Sequence, residues 1–255
     1  MSLPTKKTSG KVDVSEIRWL LYGPPKIGKT SLAAGFPNAV FAATEKGYKA
    51  LKVFKVDIKT WQGYKKFVDE ILEGNHDFKT IVVDTADLLF DKCSKYTCDK
   101  LDIEHESEGE WGRGWSEVKK EFMRVNNALF QSKYGIIFLS HTKGDKITTQ
   151  VEEITKTVPT LSNQARKILL PLVDTIGLMR YKSYKVRNKK GKLTGTKEKL
   201  ILSFKASMEI EAGDRTGVLP SELELEIIPS DKRTADMALK YAKQNYERIA
   251  EYYKD

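Results

Sequence analysis

Short, mostly apolar runs separated by stretches of helix-spaced apolar positions set the pattern of the first 140 residues. The runs are IRWLLY at 17–22, AVFAA at 39–43, TIVVD at 80–84 and YGIIFLS at 134–140. None alternates polar with apolar, as expected of strands buried on both faces. Between them, SLAAGF opens a helix that stops near residues 35–37. Trp61, Tyr64, Phe67, Val68, Ile71 and Leu72 keep helical spacing up to Gly74. Residues 86–101 and 115–131 also read as helices, divided by an acidic, glycine-containing loop at 102–114.

Strands alternating with helices at this spacing predict parallel βαβ units, and hence an α/β fold with a mostly parallel central sheet and helices on both faces. The character changes after residue 141. Residues 148–157 and 182–199 read as β-hairpins or mobile loops that extend the core, with a helix over 161–172 between them. Further strands are expected at 174–181, 200–206 and 223–228, partly antiparallel, and a closing helix at 234–253. In domain terms this gives a polar, flexible arm over 1–15, a core over 16–230 and a C-terminal helix within 231–255.

The first strand runs directly into GPPKIGKT, which fits G-x-x-x-x-G-K-[ST] at every fixed position. The nucleotide-binding residues are therefore expected to be Gly23, Pro24, Pro25, Lys26, Ile27, Gly28, Lys29, Thr30 and Ser31. Glycines let the loop curl so that backbone N–H groups face phosphates; Lys29 reaches the β- and γ-phosphates, and Thr30 offers its hydroxyl to Mg²⁺. A second magnesium ligand is expected at the end of a buried strand, and Asp84 closes TIVVD. ATP and Mg²⁺ are thus the expected ligands. The absence of an Asn/Thr-Lys-x-Asp guanine-reading motif favours adenine.

Composition narrows the setting. With 40% apolar and 31% charged residues the chain reads as globular, and no apolar run approaches the length of a membrane span. The first sixteen residues lack the apolar core of a signal peptide. Two cysteines, Cys93 and Cys98, and three scattered histidines make no zinc quartet. A cytoplasmic protein without a membrane partner is the expectation. The net charge of +9 is concentrated: residues 180–199 hold nine basic residues against one acid. Tyr181 and Tyr184 lie among them, the composition of a surface for unpaired nucleic acid, with Arg180, Lys182, Tyr184, Lys185, Arg187, Lys189 and Lys190 as its expected contacts.

On these motifs the chain resembles RecA-like P-loop ATPases over about residues 17–228, and most closely the small, AAA-type phage proteins linked to single-strand annealing recombination. The resemblance implies catalytic roles for Lys29, Asp84 and three further residues. Glu45, directly after the second strand, would activate the attacking water. His141, after the fourth strand and with Ser140, would report the γ-phosphate; RecA itself carries glutamine there. Arg215, in EAGDRTGVLP, would act in a neighbouring subunit's site. It also implies DNA-binding loops near 143–157 and 180–199, and single-stranded DNA, a homo-oligomeric ring or filament and a single-strand-binding protein as partners. A small-molecule kinase and a non-hydrolysing nucleotide switch stay open on the same core.

Overall fold

The computed structural model describes residues 5, 12–108, 112–148, 152–187, 191–229 and 234–254. Six parallel strands form the body of one sheet. In spatial order they are β3 (Phe54–Asp57), β2 (Ala39–Ala43), β4 (Thr80–Asp84), β5 (Gly135–Ser140), β1 (Arg18–Tyr22) and β8 (Thr175–Arg187). β9 (Leu193–Ser203) and β11 (Glu222–Leu225) extend the sheet beyond β8 in antiparallel fashion, and β10 (Gly213–Asp214) pairs the start of β8. A separate hairpin joins β6 (Thr142–Thr148) to β7 (Glu153–Pro159).

The unbroken apolar runs follow from this arrangement. Leu20, Val40, Ala42, Ile81, Val83, Ile136 and Phe138 point to one face, under α2 (Trp61–Glu73), α3 (Ala86–Leu101), α4 (Arg113–Phe130) and α5 (Asn163–Leu172). Their neighbours Trp19, Leu21, Phe41, Val82, Ile137 and Leu139 point to the other face, under α1 (Lys29–Ala34) and α6 (Ala235–Ala250). Burial on both faces removes any reason for a polar residue in these strands. The caps come from the local sequence: Thr60 and Thr234 accept from the N–H groups of Gly63 and Met237, and Gly74 ends α2 at a positive φ of 75°. At the end of α1, a Cβ on Gly35 would collide with the Ala242 carbonyl, so α6 lies directly on α1 there.

Some expectations need correction. β3 was not foreseen: all four of its residues are exposed, and Phe54 is 66% exposed, so FKVD carries no burial signal. Of the two readings of 182–199 the hairpin is the one found, formed by the outer parts of β8 and β9, and the hairpin near 148–157 spans Thr142 to Pro159. β9 stops at Ser203 and β11 at Leu225, short of the expected ends. No helix among the described residues is long and apolar enough to cross a membrane.

Candidate nucleotide site

The loop after β1 is fixed from two sides. Gly23 donates its N–H to Ser140 O at 3.3 Å, and a Cβ at that position would lie 2.6 Å from the Met179 carbonyl of β8. Glycine is therefore required by the approach of β8. At Gly28 the reason differs: nothing lies within 4 Å, but φ is 105° where the loop enters α1. Lys29, only 5% exposed, donates its ammonium to Gly23 O at 2.9 Å and Pro24 O at 3.0 Å. Burial pushes its pKa down, and the charges of Asp84, Glu45 and Asp87 oppose that shift.

The parallel register of β4 beside β5, and of β5 beside β1, brings Asp84 to this loop. Asp84 Oδ2 accepts from Thr30 Oγ1 at 2.9 Å and from the Tyr48 hydroxyl at 2.7 Å. Burial raises its carboxyl pKa and these two hydrogen bonds pull it back down. A hydroxyl and one carboxylate are hard oxygen donors suited to Mg²⁺, which takes its remaining ligands from water and substrate phosphates. No cluster of three or more His, Cys, Asp or Glu suited to a metal occurs among the described residues.

His141 stands between two expected catalytic groups. Its Nδ1 lies 3.3 Å from Lys29 Nζ and its Nε2 3.2 Å from Glu45 Oε1. An ammonium can only donate, so Nδ1 accepts and the proton of the neutral ring sits on Nε2, directed at the Glu45 carboxylate. The corner carrying His141 is held by Asp87, in the first turn of α3: Ser140 Oγ donates to Asp87 Oδ1 at 2.6 Å and the His141 N–H to Oδ2 at 3.3 Å. Sequence reading gave no role to Asp87 or Tyr48. The strand-end position of TIVVDTAD was the one available signal for Asp87; nothing marked Tyr48.

Lys29, Thr30, Glu45, Asp84 and His141 line a cleft of about 720 Å³. Its other walls are Met179, Tyr181 and Leu200 from the hairpin strands, Leu225 at the end of β11 with Glu226, Ile227 and Ile228 after it, and Ala238, Tyr241 and Asn245 of α6. A charged phosphate-loop side together with walls that mix apolar side chains with Tyr181, Glu226, Tyr241 and Asn245 matches a triphosphate attached to a base.

Arg215 is not brought to this cleft. It lies beside the start of β8, which runs parallel to β1, and hence at the end of the sheet opposite the phosphate loop. Its guanidinium donates to Asp174 Oδ1 at 3.2 Å and to Pro171 O at 2.7 Å.

The basic segment is less positive in space than in sequence. Glu222 of β11 pairs Arg180 at 2.9 Å and Lys182 at 2.6 Å, and Glu224 pairs Lys199. Tyr184 packs its ring between Lys182 and Lys199, whereas Tyr181 turns into the nucleotide cleft. Lys185 and Arg187 are exposed on the outer part of the hairpin; Lys189 and Lys190 lie outside the described residues. In the β6–β7 hairpin Lys143, Lys146 and Lys156 are all ion-paired, to Asp145, Glu153 and Glu211.

A mostly parallel sheet, a phosphate loop after its β1 strand and an aspartate from β4 beside that loop define a P-loop nucleotide-binding protein. The chain belongs to the AAA domain family, which it matches over residues 15–216. It is also similar to the SPbeta prophage-derived uncharacterized protein YorG of Bacillus subtilis (strain 168). The two are 27% identical over 190 residues, covering 72% of this chain and 54% of that protein. The chain thus spans about half the length of this curated relative.

Proposed function

We propose that the chain is a magnesium-dependent ATPase whose turnover is driven by single-stranded DNA, serving phage-type recombination or strand annealing. The observation that carries hydrolysis, beyond binding, is the Lys29–His141–Glu45 chain of contacts. It joins Lys29, the proposed cation for the γ-phosphate, to Glu45, the carboxylate proposed to take a proton from water. As water's oxygen bonds to the γ-phosphorus, the bond to the β–γ bridging oxygen breaks. Glu45 receives the proton, and ADP leaves with the bond's electron pair. Thr30 and Asp84 would hold Mg²⁺, which offsets charge on the phosphate oxygens.

No arginine is among the described residues lining the cleft. The resemblance to RecA-like ATPases implies a transition-state arginine from a second copy, and Arg215, with 57% of its side chain exposed, is the candidate. This reading makes the working form a ring or filament. The prophage origin of the similar Bacillus protein supports the phage setting, and Lys185 and Arg187 support a polyanion beside the hairpin.

The test is ATP turnover with and without oligo(dT). Wild type should be stimulated, Lys29→Ala should lose at least about a hundredfold, and Glu45→Gln should bind a fluorescent ATP analogue without turning it over. Turnover that survives Glu45→Gln would refute the assigned chemistry. Turnover indifferent to DNA across a range of salt would remove the nucleic-acid role alone.

A further inference from the structure

Beside the nucleotide cleft lies a second cavity, of about 560 Å³, at the carboxyl ends of β2 and β3. Five lysines line it, Lys46, Lys49, Lys55, Lys59 and Lys92, against two carboxylates, Glu45 and Asp57. Lys55 is ion-paired to Asp57. The other four have no carboxylate within 4.0 Å among the described residues, unlike the lysines of the β6–β7 hairpin or those at the base of the β8–β9 hairpin. Their charges converge: the Asp57 carboxyl is held below its ordinary pKa by its hydrogen bond from Lys55 and by the charges of Lys55, Lys59 and Lys46.

Two side chains connect this cavity to the site of hydrolysis. Glu45 lines both cavities and so forms the wall between them. Tyr48 also lines the lysine cavity, lies under Lys55 Nζ at 5.7 Å from its ring centroid, and donates its hydroxyl to Asp84. Glu45 and Tyr48 are thus the side chains through which an anion among these lysines would be felt at the site of hydrolysis.

We propose that the lysine cavity behind Glu45 binds the phosphate backbone of single-stranded nucleic acid, and that its occupancy is what couples the nucleic acid to ATP turnover. This rests on the proposed function but moves the coupling contact away from the hairpins. Lysines dominate the lining, and as point charges they meet phosphates without carrying sequence information, so binding is expected to be independent of sequence. A backbone suits the cavity better than a compact protein surface does, because its evenly spaced charges can meet several lysines set around one concavity.

The test compares two charge-reversal triples of the full chain, Lys49→Glu/Lys59→Glu/Lys92→Glu in the cavity and Lys185→Glu/Arg187→Glu/Lys197→Glu on the hairpin. Affinity for labelled oligo(dT) is read by fluorescence anisotropy over a salt series. Binding of a fluorescent ATP analogue confirms that each variant is folded. The cavity triple should weaken the oligonucleotide by tenfold or more, lower the salt slope by about 2, and abolish stimulation, with the ATP analogue bound as by wild type. The hairpin triple should keep stimulation at saturating oligonucleotide. If the cavity triple binds and responds as wild type does, the inference is overturned while the proposed function stands. If wild type itself does not bind oligo(dT), the inference falls together with the nucleic-acid role of the proposed function, while the ATPase role stands.

Discussion

Tyr48 donates its phenolic proton to the same Asp84 oxygen that accepts from Thr30, at 2.7 and 2.9 Å. The aspartate expected to face magnesium is thus held by a side chain from the segment between β2 and β3, and its charge is protected from the cost of burial. Without the phenol the carboxyl pKa, already raised by burial, rises further. A raised carboxylate pKa means that the ionised form is lost sooner as pH falls. In Tyr48→Phe the acidic limb of the turnover profile should therefore move to higher pH. Half-saturation by Mg²⁺ should rise about tenfold, the value of one hydrogen bond to a charged group. An unmoved limb in a pH series would show that Asp84 does not depend on Tyr48.

His141 accepts from Lys29 and donates to Glu45, and a carboxamide has one group of each kind. His141→Gln is expected to keep most DNA-stimulated turnover, whereas His141→Ala should lose about tenfold or more with little change in nucleotide affinity. Equal activity of the two variants in steady-state assays would mean that the bridge plays no part in catalysis.

Two loop glycines should fail for different reasons. Gly23→Ala places a methyl 2.6 Å from the Met179 carbonyl and must displace β8 or the loop. Gly28→Ala meets no atom but must hold a φ of 105°. We expect Gly23→Ala to cost about 1–3 kcal/mol of stability, as overpacking does, and Gly28→Ala about 1–2 kcal/mol. Thermal melts check both. Only Gly23→Ala should also shift the near-ultraviolet signal of the aromatic groups beside β1 and β8.

If Arg215 completes a neighbour's site, Lys29→Ala and Arg215→Ala chains should complement each other. Each is expected to be nearly inactive alone, and their mixture should turn over ATP well above the sum of the two, because hybrid contacts restore whole sites. Additive rates in mixed assays, with subunit exchange verified, would confine Arg215 to its contacts with Asp174 and Pro171.

The central strands and the phosphate loop were legible because their demands are local. A strand covered on both faces must be apolar throughout, and a phosphate cradle must have its glycines and lysine at fixed spacing. Asp84 was legible for the same reason, as the polar end of TIVVD. What long-range contacts decide was not. β3 forms through backbone pairing to β2 with every side chain exposed, so its residues carry no periodic signal. The +8 of residues 180–199 is partly cancelled by Glu222 and Glu224, which the antiparallel register of β11 with β9 brings back from beyond the segment. Tyr48 lies in a stretch without regular structure, and only the fold puts its hydroxyl on Asp84.

β8 runs without interruption from the wall of the nucleotide cleft at Met179 and Tyr181 out to Arg187, paired to β9 through one irregularity near the tip. At about 3.3 Å per residue the stretch from Met179 to Arg187 reaches about 26 Å. The strand that crowds Gly23 through Met179 is the same strand that carries Lys185 and Arg187, so the phosphate loop and the basic hairpin share one continuous backbone.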